Sequence, residues 1–115
     1  MLAKKFKLPI QKSLKNKKAL KFLKGRYFYF KIFKSELNYS RFGIIISSKI
    51  LKKSYLRNKL KRIVFEKIRL EKFYLRPNQD CLIVVLPEIA KIFSAAPLNK
   101  EEIIKDLEIN LKKIF

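Results

Sequence analysis

The side chains of this sequence that could bind or react with a ligand are mostly cations, and they are densest between Arg57 and Arg69. Wound as a helix at about 100° per residue, this stretch carries a polar side made of Arg57, Asn58, Lys61, Arg62 and Arg69, with Phe65 among them. Like charges four residues apart, such as Arg57 and Lys61, destabilise an isolated helix. We therefore expect an anionic group against this side, and phosphate is the leading candidate.

Side chains that could catalyse a reaction are scarce. The nine carboxylates show no pairing typical of general acid and base catalysis, and Glu66 is expected to pair with helix arginines. Without histidine, neither a His-based triad nor a His/Cys zinc site can form, and Cys81 is expected to be an inert core thiol. The sequence predicts no catalytic residue and no metal site on the protein.

The charge is extreme and unevenly distributed. The formal net charge is +20, and residues 1–79 hold 24 basic and 3 acidic residues against 5 and 6 in residues 80–115. Such an asymmetry points first to nucleic acid and second to an anionic membrane surface. The length of 115 residues predicts one domain over residues 1–115, and the charge indicates that this domain binds nucleic acid. A single cysteine and the lack of a secretory or membrane-spanning pattern favour a cytoplasmic protein.

The pattern along the chain predicts an α+β two-layer sandwich of approximately αββαβα order with a mixed sheet. A first helix capped by Ser13 is expected to end at Gly25. Two strands, Arg26 to Lys34 and Arg41 to Ser48, are expected to run antiparallel across the turn from Ser35 to Ser40. The second is expected to be central because of its run of three isoleucines. Ser54 caps the basic helix, an apolar strand runs from Cys81 to Leu86, and Asn99 caps the last helix.

The aromatic strand that begins at Arg26 allows two interpretations. Its alternation places Phe28, Phe30 and Ile32 on one face, which is expected to be core. The other face carries Tyr27, Tyr29, Lys31 and Phe33. Aromatic and cationic groups together can stack unpaired bases and hold their backbone, whereas burial between two layers would explain the same pattern.

The basic helix resembles the signature helix of the bacterial ribonuclease P protein subunit. The similarity rests on Arg57-Asn58-Lys59-Leu60-Lys61-Arg62, followed by Glu66 and Arg69, after the apolar strand Gly43 to Ile46 and the basic positions Lys49, Lys52 and Lys53. The dense match runs from about Arg41 to Arg69. Ser48 and Phe65 depart from it, since the family usually has lysine and frequently arginine at these positions.

The resemblance implies a function that composition alone does not. Members assist a catalytic RNA, which acts with Mg²⁺, in removing the 5′ leader of precursor tRNA, and the family places its helix in a left-handed β-α-β crossover. The implied contacts with the RNA subunit are Lys49, Lys52, Lys53, Arg57, Asn58, Lys59, Lys61, Arg62, Phe65 and Arg69. The leader is expected on the sheet, at Phe22, Tyr27, Tyr29 and Lys31. No small-molecule substrate and no membrane is implied.

Two other functions fit the residues. A structural RNA-binding protein of the ribosomal type would have the same composition. A cationic protein of the membrane surface would also use a basic amphipathic helix, although Asn58 in the polar face and the flanking strands favour RNA.

Overall fold

The computed structural model describes residues 2–8, 20–93 and 100–114. They form four strands, three α-helices and two short 3₁₀ helices, Lys4–Phe6 and Phe73–Leu75. The strands are β1 (Lys21–Lys24), β2 (Phe28–Lys34), β3 (Arg41–Ile45) and β4 (Gln79–Val85). The helices are α1 (Ser54–Glu71), α2 (Ile89–Ile92) and α3 (Lys100–Ile114). The α+β class and the mixed sheet are confirmed.

The sheet has the order β1-β2-β4-β3, so the last strand in the sequence lies between β2 and β3. β4 is antiparallel to β2 and parallel to β3. β2 and β3 do run in opposite directions, as predicted, but they do not form the hairpin that the Ser35–Ser40 turn suggested. That turn is bonded to the segment before β4, because Ser35 N–H donates to the Asn78 carbonyl and Ser40 N–H to the Tyr74 carbonyl, each at 2.9 Å.

The prediction that β3 is a central strand is wrong. It lies at the edge of the sheet, where only Lys7 forms a bridge to Phe42 among the described residues. Ile45 is accordingly 40% exposed, and the strand ends there rather than at Ser48. The two-sided burial belongs to β4, whose Cys81, Leu82 and Ile83 are all buried.

The prediction of a helix up to Gly25 is wrong for the part that the structure describes. Residues Lys21–Lys24 form β1, which pairs antiparallel with β2 from Lys21 opposite Ile32 to Lys24 opposite Tyr29. The aromatic strand β2 offers an open edge, and backbone pairing there outweighs the weak amphipathicity of the segment. Gly25 lies in the connecting turn, and its N–H donates to the Phe28 carbonyl at 2.7 Å. Ser13 and most of the predicted helix fall outside the described residues.

The core lies on one face of the sheet, under α1 and α3. Phe28, Phe30 and Ile32 of β2 are buried there, as the alternation predicted. The helices contribute Leu60, Ile63, Val64 and Ile68 from α1 and Ile103, Leu107 and Leu111 from α3 to the same cluster. The last helix is confirmed, while its predicted cap Asn99 lies outside the described residues. β3, α1 and β4 thus form a parallel β-α-β unit that fixes α1 on the sheet.

Candidate RNA interface

Helix α1 has the two sides that its sequence predicts. Leu60, Val64 and Ile68 are fully buried, whereas Asn58 and Arg62 on the other side are exposed. The helix begins at Ser54, with Lys53 as its N-cap, so Ser54 is its first residue rather than its cap. Burial of the apolar side determines which way the cations face, because turning Arg62 inward would bury an unpaired charge.

Arg57 is partly engaged in holding the loop that precedes α1. Its Nη1 donates to the carbonyls of Leu51 and Lys52, at 2.7 and 2.9 Å. A guanidinium has five N–H donors in a planar fork, so bonds from one nitrogen leave others able to reach a phosphate. Arg57 therefore joins the start of α1 to the lysine-rich loop and fixes the two parts of the cationic surface relative to each other.

The loop between β3 and α1 carries three of the predicted RNA contacts. Lys49, Lys52 and Lys53 are exposed, while Leu51 between them is buried. A turn bonds the Ile50 N–H to the Ser47 carbonyl at 3.0 Å and orders this loop. The structure thus brings the three lysines together beside the first turn of α1, where they extend its cationic side.

Arg69 forms an ion pair with Glu66 one turn earlier in α1. Its Nε lies 3.1 Å from Glu66 Oε1, as expected for an acid that orients helix arginines. The hydrogen bond with Arg69 lowers the pKa of Glu66, and the same bond raises the pKa of Arg69. Arg69 is therefore held at the surface, and its contact with RNA stays a prediction.

Two residues remote in the sequence border the polar side of α1. The Lys7 ammonium lies 5.3 Å from the centre of the Phe65 ring. Lys100, the first residue of α3, lines a groove together with Lys59, Arg62 and Phe65. No spacing in the sequence could place Lys7 or Lys100 beside α1, because both reach it only through tertiary packing.

The second predicted surface, for an RNA leader, lies on the opposite face of the sheet from α1. Phe22 of β1 pairs with Lys31 of β2, so their side chains share a face with Tyr29. The Phe22 and Tyr29 ring centres are 6.0 Å apart, and Phe22 is exposed. The register thus brings three of the four predicted leader residues together.

Tyr27 does not belong to that surface. It is 1% exposed, its N–H donates to Asp106 Oδ2 at 3.0 Å, and the Arg26 guanidinium lies 5.1 Å from its ring centre. The alternation that assigned it to the Tyr29 face fails because β2 begins only at Phe28. Tyr27 is a core residue that anchors the turn before β2 to α3.

An ion pair between β3 and β4 lies on the sheet face that carries Phe22 and Tyr29, at the other edge of the sheet from β1. Arg41 of β3 forms two hydrogen bonds with the fully buried Asp80 of β4, at 2.9 and 2.8 Å. The two residues are direct neighbours in the parallel register. This guanidinium is therefore engaged in fixing β3 against β4.

The described residues offer no preformed metal site, since no three His, Cys, Asp or Glu side chains group together among them. Cys81 is fully buried, and its burial raises the pKa of the thiol well above its ordinary range. Within the described part of the chain, no helix is long and apolar enough to cross a membrane.

Helix α1 has a cationic side opposite a buried apolar side, and the sheet carries aromatic and basic groups on the face that α1 does not cover. This combination is typical of an RNA-binding protein. The family model described as Ribonuclease P matches residues 10–114. A ribonuclease P protein component from Fusobacterium nucleatum is 37% identical over 92 residues, covering 79% of this chain and 76% of its own.

Solved structures agree with this relationship. The RNase P protein of Thermotoga maritima superposes with a TM-score of 0.77 at 26% identity, covering 95% of this chain and 97% of its own. The RNase P protein of Staphylococcus aureus shares the fold, with a TM-score of 0.67 at 23% identity over 82% of this chain and 80% of its own. The chain belongs to the ribonuclease P protein component family. It is therefore a protein subunit of an endoribonuclease in which RNA carries the chemistry, and it has an RNA partner in tRNA processing.

Proposed function

We propose that α1 and the loop before it bind the RNA subunit of ribonuclease P, and that the β1–β2 surface binds the 5′ leader of precursor tRNA. The observation that carries this proposal is the orientation of α1. Its apolar side is buried with Leu60 and Val64 fully covered, and the opposite side presents Asn58 and Arg62 to solvent. Cations fixed in this way can replace counterions along a folded RNA backbone.

The residues proposed to contact the RNA subunit fall into two adjoining groups. The loop supplies Lys49, Lys52 and Lys53, and the helix supplies Arg57, Asn58, Lys59, Lys61, Arg62, Phe65 and Arg69. Support for treating them as one surface comes from Arg57 near the start of α1, whose guanidinium donates to the Leu51 and Lys52 carbonyls of the loop.

The leader is proposed to lie across Phe22, Tyr29 and Lys31. The aromatic pair offers stacking surface for unpaired bases, and Lys31 beside Phe22 offers a charge for the backbone. This surface is on the face of the sheet opposite α1, so the protein would contact the RNA subunit and the substrate at the same time. Such a bridge would raise the affinity of the holoenzyme for precursor tRNA without supplying a catalytic group.

Magnesium is proposed to be held mainly by the RNA. Mg²⁺ is usually bound through one or two carboxylates together with phosphate oxygens, and the RNA would supply the phosphates. Among the described residues, no three His, Cys, Asp or Glu side chains group together. The contribution of the protein is then electrostatic, since its cations reduce the repulsion between RNA and substrate. A cytoplasmic location is proposed, in keeping with the single, buried cysteine thiol.

The test is reconstitution of the full chain with a bacterial ribonuclease P RNA at low magnesium, followed by measurement of leader removal from precursor tRNA. We expect the chain to stimulate cleavage and the triple variant Lys49→Gln, Lys52→Gln, Lys53→Gln to stimulate less. The matched control removes three exposed lysines elsewhere, Lys34→Gln, Lys91→Gln and Lys105→Gln. Binding to ribosomal RNA with no stimulation of cleavage would favour the structural RNA-binding alternative and would count against the proposal.

A further inference from the structure

Phe65 interrupts the cationic side of α1 with a ring that has no hydrogen-bond donor. It lies three residues after Arg62, is only partly buried, and packs at the margin of the core. A side chain of this kind cannot bind phosphate, although its neighbours can. The part of the ring that is not packed against the core is an apolar surface within the cationic side of α1.

Two grooves meet at this ring. One has a volume of about 380 Å³ and is lined by Lys59, Glu66 and Lys100, and the other, of about 410 Å³, is lined by Tyr55, Asn58 and Lys61. Lys7, Arg62 and Phe65 line both grooves. Each volume falls in the range of about 300–1,000 Å³ that is typical of sites for small organic groups.

The charges around the grooves favour a ligand that carries negative charge. Among the described residues that line them, Glu66 is the single acid, and Lys7, Lys59, Lys61, Arg62 and Lys100 are cations. The Lys7 ammonium stands 5.3 Å from the Phe65 ring centre, so a cation lies directly beside the aromatic surface. An aromatic ring inside a cationic groove is the arrangement that holds unpaired nucleotides, with stacking for the base and cations for the backbone.

We infer that Phe65 is a stacking platform for an unpaired nucleobase of the ribonuclease P RNA, with Lys7 and Arg62 holding the flanking phosphates. The inference rests on the proposed binding of that RNA by α1. Arg62 can also cover the other side of the base, because guanidinium planes stack on bases as aromatic rings do. α1 would then recognise an unpaired base of the RNA in addition to the charge of the RNA backbone.

A tryptophan at this position provides a direct readout. The chain contains no tryptophan, so Phe65→Trp introduces a single one, whose emission a stacked base quenches. We expect strong quenching that saturates when the full-length variant is titrated with the ribonuclease P RNA. The control is Ile109→Trp, at a position that is 47% exposed on α3, and its emission should change little.

The RNA affinities of two further variants at position 65 provide an independent test. Phe65→Leu keeps an apolar side chain over the core but removes the π-face, and we expect it to weaken RNA binding about 5- to 150-fold with an unchanged salt dependence. Phe65→Tyr retains the ring and should bind within about twofold of the original chain, because stacking accounts for the effect. Thermal unfolding of Phe65→Leu shows whether it is folded at the assay temperature, and the fluorescence arm does not depend on that variant.

The outcomes separate this inference from the proposed function. If the original chain binds the RNA but Phe65→Trp is not quenched, or if Phe65→Leu binds equally well, Phe65 is only a cover for the core and the inference is overturned. Quenching by precursor tRNA and not by the ribonuclease P RNA would also overturn it. Failure of the original chain to bind the RNA would instead remove the proposed function.

Discussion

Lys67 in α1 and Glu108 in α3 form an ion pair, with 3.3 Å between Nζ and Oε2. The same ammonium lies 2.9 Å from Glu71, and Lys112 lies 2.8 Å from the other oxygen of Glu108. The Lys67 side chain is only 15% exposed. The pair joins α1 to α3, so we expect Lys67→Met to lower the free energy of unfolding.

The pH dependence of this effect follows from the shifted groups. Hydrogen bonding to Glu71 raises the pKa of Lys67, and hydrogen bonds from Lys112 and then Lys67 lower the pKa of Glu108. The stabilisation by Glu108 is therefore lost as the pH falls through its lowered pKa, and that by Lys67 as the pH rises through its raised pKa. Denaturant titrations should show the largest difference between the original chain and Lys67→Met from about pH 5 to 10. A difference that persists undiminished at pH 2 would show that packing, not charge, is responsible.

Leu60 tests whether the apolar side of α1 carries its stability. The side chain is fully buried, so Leu60→Ala is expected to destabilise the protein by about 2–5 kcal/mol through lost burial and a residual cavity. The control is Leu70→Ala on the same helix, where the side chain is 62% exposed and the change should stay within about 0.5 kcal/mol. Urea unfolding of both variants measures the difference, and equal effects would contradict the assigned orientation of the helix.

Arg62 tests the phosphate contact. Replacing this exposed cation with alanine should weaken RNA binding and reduce the slope of log K against log salt by about 1. Lys105→Ala removes the same charge from an exposed position of α3 and should leave the slope unchanged. The test is to measure RNA binding by both variants at several salt concentrations. If Arg62→Ala leaves the slope of log K against log salt unaltered, Arg62 does not contact a phosphate.

Lys72 ends α1 in a left-handed conformation, with φ of 56°. Glycine adopts this conformation without the steric penalty of a Cβ atom, so Lys72→Gly should stabilise the protein by about 0.5–1 kcal/mol. Asn78 also has a positive φ, of 65°, but asparagine tolerates it, so Asn78→Gly should gain less. Thermal unfolding of the two variants provides the comparison, and a loss of stability in Lys72→Gly would mean that its charge at the helix end matters more than its backbone.

Gly25 is required by a close approach to α3. A Cβ atom there would lie 2.4 Å from Asn110 Nδ2, and Asn110 is buried and bonded to the Asp106 carbonyl at 2.7 Å. Gly25→Ala should therefore destabilise the protein by about 1–3 kcal/mol. The double variant with Asn110→Ala should lose less than the sum of the two single variants, because the clash disappears. Strict additivity in denaturant unfolding would show that the close approach is absent in solution.

The sequence predicted best those elements that a local period encodes. Helix α1 and helix α3 follow from apolar residues at intervals of three and four, and the core face of β2 follows from its alternation. The strand order could not be predicted in the same way. β4 pairs antiparallel with β2 and parallel with β3, and no local pattern of residues encodes these long-range pairings.

The candidate site was likewise predictable only where a single element brings its residues together. The cations of α1 were found because a helix brings them together, whereas Lys7 and Lys100 reach the grooves only through tertiary packing. Tyr27 was misplaced because its alternation was counted from a residue that precedes the strand.

The central place of β4 in the sheet has a consequence for synthesis. Translation delivers β1, β2, β3 and α1 before any residue of β4 has emerged from the ribosome, so the Arg41 guanidinium must wait for Asp80, its partner 39 residues downstream. Until then α1 lacks β4, the strand with which β3 and α1 form the parallel β-α-β unit. Completion of the sheet by β4 is therefore the step that fixes α1 in its place on the sheet.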